Sequence, residues 1–159
     1  MKIKDSELDY KARNTDRINV AEEEAEKFLK ASNISYKHLG FDEKNENISP
    51  ERFYRVPQVI RCLPDYIAIG NDAKFVEAKG FVDDLKIKED DYQEYQKWDR
   101  IMPLLIFAHD TQKKVSFIAT LKQISDGLHL FPKGKYKDNG KAYFRIDWQY
   151  MKDNFQQYG

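Results

Sequence analysis

Pro64-Asp65-Tyr66-Ile67-Ala68-Ile69-Gly70-Asn71-Asp72-Ala73-Lys74-Phe75-Val76-Glu77-Ala78-Lys79 is the stretch whose reading decides the architecture. Two short apolar runs, 66–69 and 73–78, flank Gly70-Asn71-Asp72, residue types that tolerate turn dihedrals. The pattern predicts an antiparallel hairpin. Side chains alternate between the faces of a strand, so Glu77 and Lys79 project together while Ala78 faces the core. The start of one hairpin strand lies beside the end of the other, which sets Asp65 next to Glu77 and Lys79.

Two carboxylates at close range repel unless a cation sits between them. Oxygen donors of this kind suit Mg²⁺, which takes one or two carboxylates, keeps several waters and binds phosphate oxygens. Such an ion offsets charge on a phosphate and lowers the pKa of a bound water; a neighbouring ammonium orients that water or stabilises developing charge. The arrangement points to phosphodiester hydrolysis. A plainer reading is a surface ion pair at a strand end, worth about 0–1 kcal/mol. It accounts for the residue types but not for their spacing.

Upstream, residues 1–16 are polar and without period, and read as a loosely ordered arm. From Ile18 the spacing of Val20, Ala21, Ala25, Phe28, Leu29 and Ser32 predicts a helix, capped by Asp16 or Asn19 and ended by Asn33. Ile34-Ser35-Tyr36 alternates like a strand, 41–52 reads as a polar loop, and 53–63 reads as β-rich with an edge or bulge at Pro57. Downstream, 88–101 reads as a helix broken by Pro103. Leu104-Leu105-Ile106-Phe107-Ala108 has the continuous apolar character of a buried central strand. Further strands are expected at 115–120 and 143–148, a turn-rich connector at 133–140, and a short helix at 151–155.

The chain has 159 residues, and 27 basic residues balance 27 acidic ones. That length favours one domain with a sizeable core. No apolar run approaches the roughly 20 residues of a membrane helix, and no basic segment followed by an apolar one marks a signal peptide. The single Cys62 fits a reducing cytosol and, with His38, His109 and His129 far apart, argues against structural zinc. The neutral total hides an asymmetry. Residues 83–99 carry seven carboxylates against three lysines, whereas 111–146 carry seven lysines and one arginine against two aspartates. Lys113, Lys114, Lys133, Lys135, Lys137 and Lys141 are candidates for tracking a phosphate backbone; a solvated lysine-rich surface is the plainer alternative.

Pro64-Asp65, the intervening hairpin and Glu77-Ala78-Lys79 together resemble the signature of the PD-(D/E)XK nuclease superfamily, over roughly residues 18–108. The resemblance implies an α/β (α+β) fold, a mixed central sheet flanked by helices, here with a C-terminal β extension at 109–159, the whole forming one domain. It implies a magnesium-dependent DNA nuclease, with Mn²⁺ able to substitute, most readily an endonuclease acting on structured or double-stranded DNA in the cytoplasm. Asp65, Glu77 and the Ala78 carbonyl would be metal ligands and Lys79 the catalytic lysine. The family often adds an acid on its first helix. Glu22 is the choice, because phage junction-resolving endonucleases show a similar spacing from Glu to a step like Ile34-Ser35-Tyr36; Glu23 and Glu26 remain candidates. Its second helix often brings Gln or Tyr to the site, which makes Gln93 and Gln96 candidates, with Tyr92 beside them. The segment from Lys88 to Trp98 is similar to the Gln-containing helix of virus-type replication-repair nucleases. A homodimer would suit cutting of two strands. The alternative is a catalytically silent nucleic-acid-binding or assembly subunit on the same fold.

Overall fold

A computed structural model describes residues 10–41 and 47–159. Helix α1 (Tyr10–Ala31) starts earlier than the apolar period announces. Lys11, Ala12 and Arg13 are good helix formers without an apolar stripe, so propensity carries the first turns where periodicity is silent. Asp16 and Asn19 therefore lie inside the helix and not at its start. Of the arm expected at 1–16, residues 10–16 are helical and the rest lie outside the described residues. The C-terminus closes as expected at Asn33, whose φ of 55° is left-handed. The Ile34 amide donates to the Leu29 carbonyl (2.9 Å) and the Asn33 amide to Lys30 (3.1 Å), which satisfies the last carbonyls.

β1 (Ser35–His38), β2 (Tyr66–Ile69) and β3 (Ala73–Phe81) follow, the last two forming the expected hairpin. Between them, 53–63 is not β-rich. Ser49 accepts the Arg52 amide (3.3 Å) and Pro50 starts α2 (Pro50–Phe53), while Pro57 caps the start of α3 (Gln58–Arg61). A proline's fixed φ suits a helix's first turn as well as a strand edge, and here the helix wins. Of the loop expected at 41–52, residues 42–46 lie outside the described residues.

β4 (Asp84–Lys88) leads into α4 (Glu89–Ile101), then β5 (Leu104–Asp110), β6 (Val115–Thr120) and α5 (Leu121–Gly127). A reciprocal capping box between Thr120 and Gln123 starts α5. β7 (Lys133–Lys135), β8 (Ala142–Asp147), α6 (Trp148–Asn154) and β9 (Gln156–Tyr158) complete the chain. Among the described residues, six strands form one sheet in the order β1-β2-β3-β5-β6-β9, with β3 and β5 parallel and the other pairs antiparallel. β4, β8 and β7 form a second, antiparallel sheet.

The main sheet is covered on both faces. α1 lays Ala21, Ala25 and Leu29 against Tyr66, Val76, Ala78 and Phe107, and the alanines let helix and sheet approach closely. On the other side α4, α5 and the inner face of the second sheet enclose Phe75, Tyr95, Ile106, Ile124, Phe144 and Ile146. Ile106, 1% exposed on the central strand, is among the most costly positions to truncate, about 2–5 kcal/mol for a change to alanine. No described helix is long and apolar enough to cross a membrane.

Candidate active site

The register of the hairpin places the chemistry. Tyr66 pairs with Val76, so Asp65, one residue before β2, faces the Glu77–Ala78 segment of β3. The Asp65 carboxylate accepts the Ala78 amide N–H at 2.8 Å, and the Asp65 carbonyl accepts the Leu39 amide at 2.7 Å. Asp65 is thus fixed from both of its ends. Glu77 lies beside it, and Lys79 opens into the same cleft. Burial first, and then the Asp65 charge, push the Glu77 carboxyl well above the usual carboxylate range, against the opposing pull of Lys79. A divalent cation between the two acids would favour the charged form of Glu77.

The Lys79 ammonium stands 5.4 Å from the centre of the Tyr95 ring, at the floor of the cleft. The cleft holds about 700 Å³ and is bounded by Glu22 of α1, Asp65, Glu77, Ala78 and Lys79 of the hairpin, Arg61 at the end of α3 with Cys62 after it, and Asp91 and Tyr95 of α4. Its far wall is the second sheet and the β7–β8 connection, where Lys86, Lys88, Lys135 and Lys137 outnumber Asp84 and Asp138 and stand beside Tyr136 and Tyr143.

Asp65, Glu77, Ala78, Lys79 and Glu22 all line the one cleft. Glu26 instead accepts the hydroxyls of Tyr36 and Tyr66, each at 3.2 Å, and so ties α1 to β1 and β2; Glu23 is exposed. Among the described residues, no three acidic, histidine or cysteine side chains converge as a cation cage. The acids close together are the Asp65–Glu77 pair, and two carboxylates with a neighbouring carbonyl match the modest ligand set that Mg²⁺ takes from a protein.

On α4 the expected register is displaced. Gln93 is exposed, and Gln96 donates to the Tyr92 hydroxyl at 3.5 Å. Asp91 and Tyr95, one turn apart on the adjacent stripe, are the α4 residues that border the cleft. The reason is that Tyr92 and Tyr95 are both buried, which rotates Gln93 to solvent. Asp91 also meets Cys62, whose Sγ lies 3.6 Å from Asp91 Oδ1. Burial, with the Asp91 charge second, pushes the Cys62 thiol up to about 12, so it stays protonated and is no nucleophile. His109 is a buried structural residue with Nδ1 2.8 Å from Ser116 Oγ, and burial lowers its pKa.

Of the candidate phosphate-tracking lysines, Lys135 and Lys137 line the cleft. Lys133 pairs with Glu89 (3.3 Å), and Lys113 pairs with Asp83 (3.3 Å) beneath Trp148. Lys114 occupies a turn position at φ 55°, and Lys141 is exposed in the β7–β8 connection. Lys86 and Lys88 lie inside the acidic segment of the sequence, where β4 carries little apolar signal. Strand alternation of Lys86-Ile87-Lys88 is what would have revealed them.

The fold is a mixed sheet flanked by helices, with a hairpin that brings two acids and a lysine to one cleft. Two solved structures share it. One is Hjc of Archaeoglobus fulgidus, a Holliday junction resolvase from an archaeal hyperthermophile; the match covers 87% of this chain and 94% of that one at 10% identity, with a TM-score of 0.55. The other is D212, a nuclease from a fusselovirus, matched over 94% of this chain and 89% of that one at 8% identity, with a TM-score of 0.50. At these identities the likeness is one of fold. No protein-family model and no curated protein matches the chain.

Proposed function

We propose that this chain is a single-domain, magnesium-dependent DNA nuclease that hydrolyses phosphodiester bonds, acting as an endonuclease on structured or double-stranded DNA. The observation that carries the proposal is the convergence of Asp65, Glu77 and Lys79 on one side of a cleft whose far wall is basic. Asp65 and Glu77, with the Ala78 carbonyl, would hold the metal, and Glu22 would contact it from α1. When bound, Mg²⁺ supplies charge neutralisation at the phosphate and a water of lowered pKa. Lys79 orients the attacking water and offsets charge on the phosphate. The hydrogen bond from Ala78 to Asp65 keeps that carboxylate aimed into the cleft, and burial of Tyr95 fixes the floor beneath Lys79. Lys135 and Lys137 contact the backbone as point charges, which suits recognition of DNA shape more than of sequence. A homodimer would present two such clefts to two strands.

The rival is a subunit that binds nucleic acid on this fold without catalysis. The intact pair of acids and the lysine argue against it. Calorimetric titration with Mn²⁺ separates the two: the nuclease binds the ion and loses it in Glu77→Ala, whereas a silent scaffold shows no heat that depends on Glu77. Plasmid, branched and single-stranded DNA are then incubated in Mg²⁺ or Mn²⁺. Cleavage that persists undiminished in both Asp65→Ala and Lys79→Ala sinks the assignment.

A further inference from the structure

The outer face of the second sheet carries a device that tracking a duplex backbone does not require. Along β8, Phe144 and Ile146 point into the core, so Tyr143 is directed outward to the cleft. It lies flat over its cross-strand partner Gly134: a Cβ at Gly134 would stand 2.6 Å from the Tyr143 hydroxyl oxygen. Tyr136 meets it with ring centres 4.6 Å apart and planes inclined by 50°. Tyr136 is itself held in a closed turn, its amide donating to the Lys141 carbonyl (3.0 Å) and its carbonyl accepting the Gly140 amide (2.8 Å). Two strand-borne ammoniums complete the group, Lys86 at 5.2 Å from the Tyr143 ring and Lys88 at 5.8 Å from the Tyr136 ring. Both tyrosines are half-buried and both border the cleft that holds Asp65, Glu77 and Lys79.

We propose that Tyr136 and Tyr143, flanked by Lys86 and Lys88, form a stacking site for unpaired nucleotides, so that the substrate enters this cleft with a single-stranded segment beside the bond to be cut. The inference rests on the nuclease reading for its polymer, DNA. In a duplex each base is stacked between its neighbours and offers a protein only its edges and its phosphates, so lysines alone would suffice. An aromatic pair with ammoniums beside it matches a nucleotide whose base face is open and whose phosphate is one lysine length away. The long lysine stems let the ammonium leave the ring for the phosphate as a base takes its place.

Binding is measured in Ca²⁺, without turnover, by fluorescence anisotropy on a blunt duplex and on the same duplex carrying a single-stranded tail, with 2-aminopurine in the tail as a stacking reporter. The wild type is expected to bind the tailed DNA about tenfold more tightly than the blunt one and to quench the reporter. Tyr143→Leu and Tyr136→Leu are expected to lose that preference while holding the blunt duplex unchanged, and Tyr143→Phe to keep it. Equal wild-type affinity for the two DNAs, which needs no variant to fold, overturns the inference, as does a preference intact in both Leu variants. Stacking without cleavage of any DNA in Mg²⁺ would sink the nuclease reading and leave this site standing. Cleavage in Mg²⁺ by a wild type that binds the blunt and tailed DNAs equally would do the reverse.

Discussion

The Asp65 carboxylate accepts the backbone amide of Ala78 at 2.8 Å, across the hairpin that joins them. One side chain thus serves as a structural clamp and as half of an acidic pair. Substitution separates the two roles. Asp65→Ala orphans a buried amide and is expected to cost about 1–3 kcal/mol of stability along with metal binding. Asp65→Asn keeps an oxygen acceptor for Ala78, so its melting temperature should stay near wild type while Mn²⁺ binding is lost. Differential scanning calorimetry and metal titration on the two variants check both halves.

Lys79 stands over the Tyr95 ring, which positions the ammonium without neutralising it. Lys79→Met keeps the stem against the ring and removes the charge. Cleavage is expected to fall by about a hundredfold or more with little change in melting temperature. Tyr95→Phe keeps the ring and should retain most of the activity, whereas Tyr95→Leu should not. Single-turnover cleavage rates distinguish the three.

Cys62 gives a pH-dependent signature. Its thiol titrates near 9.0 when unperturbed and is pushed up to about 12 here, by burial first and the Asp91 charge second. The thiolate is the charged form, so burial suppresses it. At pH 8 its population is expected to be roughly a thousandfold below that of an unfolded cysteine, and alkylation by iodoacetamide correspondingly slow. Asp91→Asn should quicken it. Because the folded pKa exceeds the unfolded one, this stabilisation is fully present below pH 9.0 and is lost as pH rises through about 12. Alkylation rates against pH, followed by mass spectrometry, test the sign.

Gly134 is the position that lets Tyr143 lie flat, with space for no Cβ beneath the ring. Gly134→Ala is expected to lift Tyr143, to weaken binding of tailed DNA and to leave Mn²⁺ binding at Asp65 and Glu77 intact. Anisotropy and metal titration on this one variant read the two walls of the cleft separately.

The hairpin is legible in the sequence because alternation and turn chemistry lie within one short segment, and because Asp65, Glu77 and Lys79 need only its register to be brought together. β5 is legible for a similar reason: a fully buried strand reads as a continuous apolar run. β4 is not legible. Asp84-Leu85-Lys86-Ile87-Lys88 looks like part of a charged segment until β8, far along the chain, supplies Phe144 and Ile146 against Ile87 and Leu85. Without β4 the basic residues of the sequence gather in the C-terminal third alone, and Lys86 and Lys88 count only as part of the acidic stretch. The helix at Pro50–Phe53 depends on Ser49 as a cap, and a Ser-Pro step is equally at home in a loop. On α4 the helix itself is legible but its rotation is not. Burial of Tyr92 and Tyr95 together decides that Asp91, rather than Gln93, borders the cleft.

The proposed metal-dependent nuclease activity depends on Asp65, Glu77 and Lys79. Its most direct test is the rate at which a labelled branched DNA is cut, in Mg²⁺ and in EDTA, by the wild type and by Asp65→Asn, whose fold the Ala78 hydrogen bond should preserve. Cleavage is expected from the wild type in Mg²⁺ and none in EDTA or in the variant. Cleavage that survives EDTA or the substitution, or a wild type that cuts no DNA structure in either Mg²⁺ or Mn²⁺, would contradict it.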